Sequence, residues 1–277
     1  MTEPLKTINM IVAALGGEGG GVLTTWLIEV AKRSGWHCQS TSLAGVAQRT
    51  GATVYYLEFV PRLSSQPEPV MSLFPAQGDI DIAVTSEIAE AGRMISRGFV
   101  SPERTTLISS DHRVYGITEK SDTTDGTADT AFILNLSTRY ANRFVHFDML
   151  ELVQRHGTVI SAGLFGAIAG AEVLPFHRET YTQILDSGKG AVANRAAFDE
   201  SFERAQSGGV ALYDPDPLPT FTLPEATTPL GFRLLPLISA LPTEVHEIVY
   251  HAVLRLVDYQ DEAYAADFIQ RVQQVAA

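Results

Sequence analysis

The start of the fold is set by one stretch, Ile11-Val12-Ala13-Ala14-Leu15-Gly16-Gly17-Glu18-Gly19-Gly20-Gly21. The apolar run Ile8–Leu15 predicts a buried strand, and Val22–Arg33, directly after the glycines, predicts a helix. A glycine-rich turn between a strand and a helix can point backbone N–H groups at an anion. It can equally serve only to let the strand and the helix pack closely. Both interpretations stay open, because the match to Gly-x-Gly-x-x-Gly is loose.

Strands and helices alternate through the first half of the chain. This order predicts an α/β fold, Rossmann-like, with a mostly parallel sheet and helices on both of its faces. The predicted strands are Ile8–Leu15, His37–Thr41, Thr53–Val60, Ile80–Thr85 and Thr105–Ser109, and the predicted helices between them are Val22–Arg33, Ala44–Arg49 and Glu87–Ser96.

The second half of the chain is helical in pattern and changes composition near residue 209. We predict an α/β domain over residues 1–208, a proline-rich extended connector over 209–242 and a small helical C-terminal extension over 243–277. The predicted helices of the middle part are Gly163–Ala171, buried and rich in small residues, then Arg178–Leu185 and Val192–Gln206. The extension carries two amphipathic helices, which either pack on another surface or fold back on their own domain.

Charge and cysteine content exclude several classes of function. A net charge of −12 over 277 residues argues against non-specific binding to nucleic acid or to an anionic membrane. Cys38 is the only cysteine, so the chain alone forms no disulfide and no cysteine-based metal or iron–sulfur site. No apolar run is long enough to span a membrane and no leader pattern opens the chain, so we expect a cytoplasmic protein.

Three segments in register resemble one family, the gamma subunit or gamma domain of 2-oxoacid:ferredoxin oxidoreductases. The resemblance spans about residues 7–206, and its closest form is the beta subunit of indolepyruvate oxidoreductase, which carries a gamma-type domain. The three segments are Leu15–Gly20, which is similar to a Gly-x-Gly-Gly-Gln-Gly loop, Gly45–Gly51, which is similar to Gly-x-x-Gln-Arg-Gly-Gly, and Gly163–Leu174 followed by Asn194-Arg195-Ala196-Ala197-Phe198.

The resemblance implies one half of an oxidoreductase. Enzymes of this family convert a 2-oxoacid and CoA to acyl-CoA and CO2 and reduce ferredoxin or another acceptor. The resemblance places thiamine diphosphate, Mg²⁺ and the 4Fe-4S clusters on a large partner subunit of a hetero-oligomer. It leaves this chain without a complete active site, a metal site or an assigned catalytic residue. CoA is expected at the interface with the partner.

The same resemblance supplies the candidate binding residues. They are Gly16, Gly17, Gly19 and Gly20 of the loop, together with Gln48 and Arg49. The fork of donors on Arg49 suits a phosphate or a carboxylate, and an ion pair at the subunit interface is an equal alternative.

The chain departs from the family pattern at Ala14, Glu18 and Thr50. Glu18 matters most, because a carboxylate in the middle of an anion-binding loop repels a phosphate. We therefore expect Glu18 to pair with a basic group, either on the partner subunit or at Arg49.

Two other classes of function stay open. The first is a free-standing Rossmann-type nucleotide-binding oxidoreductase, although the second predicted strand ends in Thr41 and Ser42 rather than in an acid. The second is a scaffold protein that has lost the site. We interpret Asp111–Arg113 as a solvated loop and Asn194 as a helix cap or a buried polar anchor.

Overall fold

The computed structural model describes residues 7–43, 52–62, 69–115, 129–207 and 221–276. Within these ranges six strands form one sheet in the order β2-β3-β1-β4-β5-β6. The strands are β1 (Ile8–Leu15), β2 (Trp36–Leu43), β3 (Ala52–Pro61), β4 (Ile82–Thr85), β5 (Thr106–Ser110) and β6 (Arg143–Phe147). The predicted α/β fold is confirmed.

Helices follow most of the strands and account for the rest of the regular structure. They are α1 (Gly20–Arg33), α2 (Ile88–Ser96), α3 (Thr130–Tyr140), α4 (Met149–Arg155), α5 (Ile160–Gly170), α6 (Arg178–Asp186), α7 (Ala191–Gln206), α8 (Pro229–Ser239), α9 (His246–Tyr259) and α10 (Glu262–Ala276). A short 3-10 turn, Thr243–Val245, precedes α9.

The sheet is mostly parallel, with an antiparallel part at one side. Strands β1, β4, β5 and β6 run parallel, whereas β3 lies between β1 and β2 and is antiparallel to both. A parallel crossover needs about a dozen residues or more, and only residues 44–51 separate β2 from β3. The prediction from alternation along the sequence therefore missed the antiparallel direction of β3, which pairs with both β1 and β2.

Two apolar layers cover the two faces of the sheet. Side chains alternate along β1, so that Met10 and Val12 face one layer while Ile11 and Ala13 face the other. The first layer contains α1, α5 and α7, and the second contains α2 and α3. Both faces of the central strand are thus buried, as parallel strands require.

Helices α5 and α7 pack with almost no side chain between them. A Cβ on Gly166 would overlap the carbonyl of Phe198, and a Cβ on Gly170 would overlap the carbonyl of Phe202. The predicted burial of this small-residue helix is confirmed.

The chain divides near residue 215 into two compact units. The second unit has its own apolar core, which includes Leu234, Ile238, Val249, Val253 and Ile269. The two predicted C-terminal helices are confirmed as α9 and α10. No helix in the described ranges is long and apolar enough to cross a membrane.

Helix α8 corrects the prediction of an extended connector for part of residues 209–242. Proline stands at the first helical position, Pro229, where it needs no N–H partner, and the Thr228 hydroxyl accepts a hydrogen bond from the Gly231 N–H at 3.1 Å. Pro229 therefore marks the start of a helix rather than an extended chain. Residues 208–220 lie outside the described ranges.

Candidate functional site

The parallel strands end together at one edge of the sheet. Strand β1 is the point where the chain order reverses, because β2 and β3 lie on one side of it and β4 to β6 on the other. In open α/β sheets ligands bind in the crevice at such a reversal, outside the carboxyl ends of the strands. The loops at this crevice are Gly16–Gly19 after β1 and Ser86–Glu87 after β4, with Asp111–His112 following β5.

The glycine loop uses backbone conformations that favour glycine. Gly17 has φ 91° and Gly19 has φ 71°, and both angles lie in the left-handed region. Glu18 donates its N–H to the Leu15 carbonyl at 3.0 Å, which closes the turn, and Gly19 is the N-cap of α1. At two of the four candidate positions, Gly17 and Gly19, the backbone conformation therefore accounts for the glycine.

Close packing explains Gly20 and adds a second reason for Gly19. A Cβ on Gly20 would lie 2.7 Å from the Cβ of Ala14 and 2.7 Å from the ring of Tyr55. A Cβ on Gly19 would overlap the hydroxyl of Ser161, which donates to the Gly19 carbonyl at 3.3 Å. Strand-helix packing thus accounts for part of the glycine pattern, and a ligand role for these residues stays a prediction.

Glu18 finds its partners inside its own chain. Its Oε2 accepts a hydrogen bond from the Ser86 hydroxyl, and its Oε1 lies 3.1 Å from Nε2 of His112. The Ser86 hydroxyl oxygen also accepts the Leu15 N–H at 3.1 Å. Both carboxylate oxygens therefore have partners among the described residues. Arg49 lies outside those residues, so the pairing of Glu18 with Arg49 or with the partner subunit stays a prediction.

His112 is buried and forms a chain of hydrogen bonds. Its Nδ1 lies 2.8 Å from the Ser110 hydroxyl, whose oxygen accepts the Met149 N–H at 2.9 Å. The Ser110 hydroxyl can therefore donate its own hydrogen to Nδ1 of His112. When the ring is neutral, its single N–H is then at Nε2, which faces Glu18. The interpretation of this segment as a solvated loop is therefore wrong for His112, whose side chain is 6% exposed.

A second histidine pair lies at the same edge. Nδ1 of His146 is 2.9 and 3.0 Å from the two carboxylate oxygens of Asp111, and its ring stacks on Phe144 with centroids 4.3 Å apart. Asp148, two residues after His146, has a different role: it is the N-cap of α4 and accepts a hydrogen bond from the Glu151 N–H at 2.8 Å. The spacing of polar residues in the sequence did not single out the Asp111–His146 pair.

Sequence reasoning missed these partners because they lie far apart along the chain. Three of them directly follow a strand, namely Ser86 after β4 and Asp111 and His112 after β5, whereas His146 lies near the end of β6. Polar residues at the ends of neighbouring parallel strands meet at one sheet edge. Polar residues at the ends of the predicted strands were therefore the sequence signal from which these contacts could have been predicted.

Gln48 and Arg49 lie outside the described residues. The strands that flank them are described: β2 ends at Leu43, and β3 begins at Ala52, which pairs with Leu15 in the register of the sheet. Both flanks are thus at the edge where the glycine loop lies. The binding role of Gln48 and Arg49 stays a prediction.

Asn194 and Cys38 have structural explanations. Oδ1 of Asn194 accepts from the Thr158 hydroxyl, and its Nδ2 donates to the Lys189 carbonyl at 3.2 Å. Of the two predicted roles, helix cap or buried polar anchor, these contacts favour the buried polar anchor. Burial raises the pKa of the Cys38 thiol to about 12, against a smaller opposing effect of Lys32, so the thiol stays protonated.

Among the described residues no group of three or more His, Cys, Asp or Glu side chains could hold a metal ion.

Comparison with known proteins identifies the family. The model of the pyruvate ferredoxin/flavodoxin oxidoreductase family matches residues 9–204. The chain belongs to this family. The match covers the sheet, the glycine loop and helices α1 to α7, and it ends before the second compact unit of this oxidoreductase family member.

Two solved structures are similar to part of this chain. One is pyruvate oxidoreductase subunit PORC from Thermotoga maritima, with a TM-score of 0.45 and 13% identity, covering 72% of this chain and 96% of that one. The other is the gamma subunit of a keto/oxoacid ferredoxin oxidoreductase from Geobacter sulfurreducens, with a TM-score of 0.47 and 14% identity, covering 72% of this chain and 99% of that one. The comparison with curated proteins gives no match for this oxidoreductase family member.

Proposed function

We propose that this chain is the gamma-type, non-redox subunit of a 2-oxoacid oxidoreductase that depends on thiamine diphosphate and iron–sulfur clusters. The family match over residues 9–204 carries the proposal, because it includes the glycine loop and the whole sheet that positions it. The complex would convert a 2-oxoacid and CoA to acyl-CoA and CO2 and pass electrons to ferredoxin.

The redox cofactors fit a partner chain better than this one. A 4Fe-4S cluster is held by four thiolates, and this chain has one cysteine, whose thiol is protonated at neutral pH. We therefore assign the clusters, together with thiamine diphosphate and its Mg²⁺, to a large partner subunit of a hetero-oligomer. This chain would contribute a wall of the shared site.

The glycine loop is the part of this chain that would face CoA. Glu18 turns its carboxylate toward Ser86 and His112, so both of its oxygens are held within the chain. The loop backbone and the N-terminus of α1 then offer N–H groups to an anion, such as a phosphate of CoA. Gln48 and Arg49 would add side-chain donors to the same ligand.

An aryl pyruvate is the proposed 2-oxoacid, with indolepyruvate as the specific case. Support comes from the sequence over Leu256–Asp261 and at Tyr264 and Ala265, which resembles the C-terminal extensions of bacterial indolepyruvate oxidoreductases. These residues lie on α9 and α10 in the second compact unit, beyond the family match.

Reconstitution with a purified thiamine- and cluster-binding subunit tests the proposed function. We expect a brown complex that reduces ferredoxin only when both chains, CoA and a 2-oxoacid are present, with indolepyruvate preferred over pyruvate. Activity of the large subunit that is unchanged by adding this chain would contradict the proposal. Tight binding of NAD or a flavin by the isolated chain would instead favour a free-standing nucleotide-binding oxidoreductase.

A further inference from the structure

An open cavity lies at the carboxyl edge of the sheet, between α3 and the end of β6. Its volume is about 490 Å³, within the range of roughly 300–1,000 Å³ that is typical of small-molecule sites. His146 lines it from the sheet, and the described residues that line it from α3 and its N-cap include Asp129, Phe132, Leu134, Asn135 and Thr138. We call this space the His146 cavity.

The His146 cavity begins where the apolar layer over the sheet ends. Alternate side chains of a strand face the same side, so Phe144 and His146 both point toward the layer that contains α2 and α3. Phe144 is buried in that layer, whereas the His146 side chain, nearer to the end of β6, is 17% exposed. A polar ring therefore closes this end of the layer and is accessible from the cavity.

Two contacts fix the orientation of the His146 ring. Its Nδ1 lies 2.9 and 3.0 Å from the two carboxylate oxygens of Asp111, and one of its faces stacks on Phe144. An ionised carboxylate only accepts hydrogen bonds, so Nδ1 carries the hydrogen, and in a neutral ring Nε2 is an acceptor. Among the described residues Nε2 has no hydrogen-bond partner. The ring thus offers the cavity an acceptor nitrogen that is held in place and unused.

The charges around the His146 cavity favour a neutral ligand. None of the described residues that line it is Lys or Arg, so an anion would meet the carboxylates of Asp129 and Asp111 without a fixed positive charge to offset them. A cation would have to compete for carboxylates that already have partners. Asp129 accepts the Ala131 N–H at 2.8 Å, and both oxygens of Asp111 face Nδ1 of His146.

Helix α3 supplies an aromatic surface to the same cavity. Phe132 lies in the first turn of α3, and it is 57% exposed although it lines the cavity. Leu134, which is half-buried, adds an aliphatic contact. A flat aromatic ligand that covers the Phe132 ring would gain both the removal of apolar surface from water and the ring–ring contact.

We propose that the His146 cavity binds a neutral, flat aromatic molecule whose ring carries an N–H or O–H donor. Nε2 of His146 accepts from that donor, and Phe132 contacts the ring. Asp111 is a positioning residue, because it holds the hydrogen of His146 on Nδ1 and so keeps Nε2 as the acceptor. The inference goes beyond the proposed function and concerns the isolated chain, so its failure would leave the assignment to an oxidoreductase complex untouched.

A pair of matched probes tests the donor requirement on the full-length chain. Indole is a neutral bicycle with one N–H, and benzofuran has nearly the same shape with an oxygen in place of that group. The measurement is the dissociation constant of each probe by NMR titration. We expect the wild type to bind indole about tenfold more tightly than benzofuran, as one hydrogen bond to a held acceptor implies.

The His146→Phe variant removes the acceptor and keeps a ring of similar size. Asp111 loses its partner in this variant but is 29% exposed, so water can solvate it. We expect the preference for indole over benzofuran to disappear, while the affinity for benzofuran is retained. Persistence of the preference in this variant would overturn the role of His146.

Phe132→Ala tests the apolar contact and does not depend on a buried substitution. Both probes should bind about fivefold more weakly, because the ring contact is lost for each of them. Phe232→Ala is the matched control: Phe232 is 65% exposed on α8, in the second compact unit, and both affinities should stay at the wild-type value. Thermal unfolding of each variant confirms that it is folded.

Three results on the wild type would overturn the proposal. The first is equal affinity for indole and benzofuran, which would show that no donor is recognised. The second is tighter binding of the anion indole-3-acetate than of indole, which would make the cavity an anion site. The third is binding of neither indole nor benzofuran up to their solubility limits.

Discussion

Glu18 and His112 form a pair across the sheet edge, with Oε1 of Glu18 3.1 Å from Nε2 of His112, although 94 positions separate them in the sequence. Ser86 and Ser110 extend this pair at its two ends, so the loops after β1, β4 and β5 are tied to one another. These hydrogen bonds fix the position of the Glu18 carboxylate within the network.

Glu18→Ala should destabilise the first compact unit by about 1–3 kcal/mol, because Ser86 and His112 would lose a partly buried acceptor. Glu18→Gln, which restores the residue of the resembled family, should cost less, since the amide keeps one acceptor. Urea unfolding checks both values. Glu29→Ala is the control: it removes an exposed carboxylate that pairs with Arg33 at 2.8 Å, and it should cost less than about 0.5 kcal/mol.

A double-mutant cycle with Glu18→Ala and His112→Ala distinguishes the pair from a general loss of packing. Coupled residues lose less in the double variant than the sum of the two single losses. Strictly additive losses would show that the two side chains do not stabilise each other.

The sequence predicted the layered fold well and the site poorly, for different physical reasons. A buried strand such as Ile8–Leu15 is recognisable from its run of apolar residues, so β1 was predicted with its observed bounds. The antiparallel placement of β3 depends on pairing with distant strands, so it was not predicted. Helix α3 was not predicted either, because only Ile133 and Ser137 of its 11 residues are buried. The Glu18–His112 contact depends on which strand ends become neighbours, which local patterns do not encode.

Replacing Gly170 with Ala should destabilise the protein by about 1–3 kcal/mol, because the added methyl would meet the backbone of Phe202. Gly21→Ala is the matched control. Gly21 is in the first turn of α1, its added Cβ would lie 3.5 Å from the Tyr55 hydroxyl, and alanine is favoured over glycine in a helix by up to about 1 kcal/mol. Thermal unfolding should therefore show opposite signs. Equal effects at both positions would argue against the close α5–α7 contact.

Glu90→Gln should stabilise the protein at neutral pH and not at low pH. Burial raises the pKa of the Glu90 carboxyl, helped by the nearby charge of Glu87 and opposed by Arg93. A carboxyl with a raised folded-state pKa binds its proton more tightly when folded, so stability falls as pH rises from the unfolded pKa to the folded pKa. Glutamine does not titrate, so the stability of the variant does not fall in this way. The variant should therefore become more stable than the wild type as pH rises above about 4.5. A difference that does not vary with pH would contradict the titration of Glu90.

Cys38 should react slowly with thiol reagents in the native protein. With a pKa of about 12, its thiolate fraction at pH 8 is roughly a hundredfold or more below that of the unfolded chain. Labelling with a disulfide reagent, with and without denaturant, measures the ratio. The native rate should keep rising with pH beyond pH 10. A plateau below pH 9 would show an ordinary thiol that is limited by access alone.

Arg49→Ala separates the two roles that remain open for the segment between β2 and β3. If Arg49 binds a phosphate of CoA, the variant should assemble normally with the large subunit while the KM for CoA rises about tenfold or more, as expected for the loss of a charge-assisted hydrogen bond. If Arg49 forms an ion pair with the partner, assembly should weaken while activity per assembled complex stays normal. Arg62→Ala serves as the control, because Arg62 is an exposed arginine just beyond the end of β3. Normal assembly and a normal KM in the Arg49 variant would remove this residue from the site.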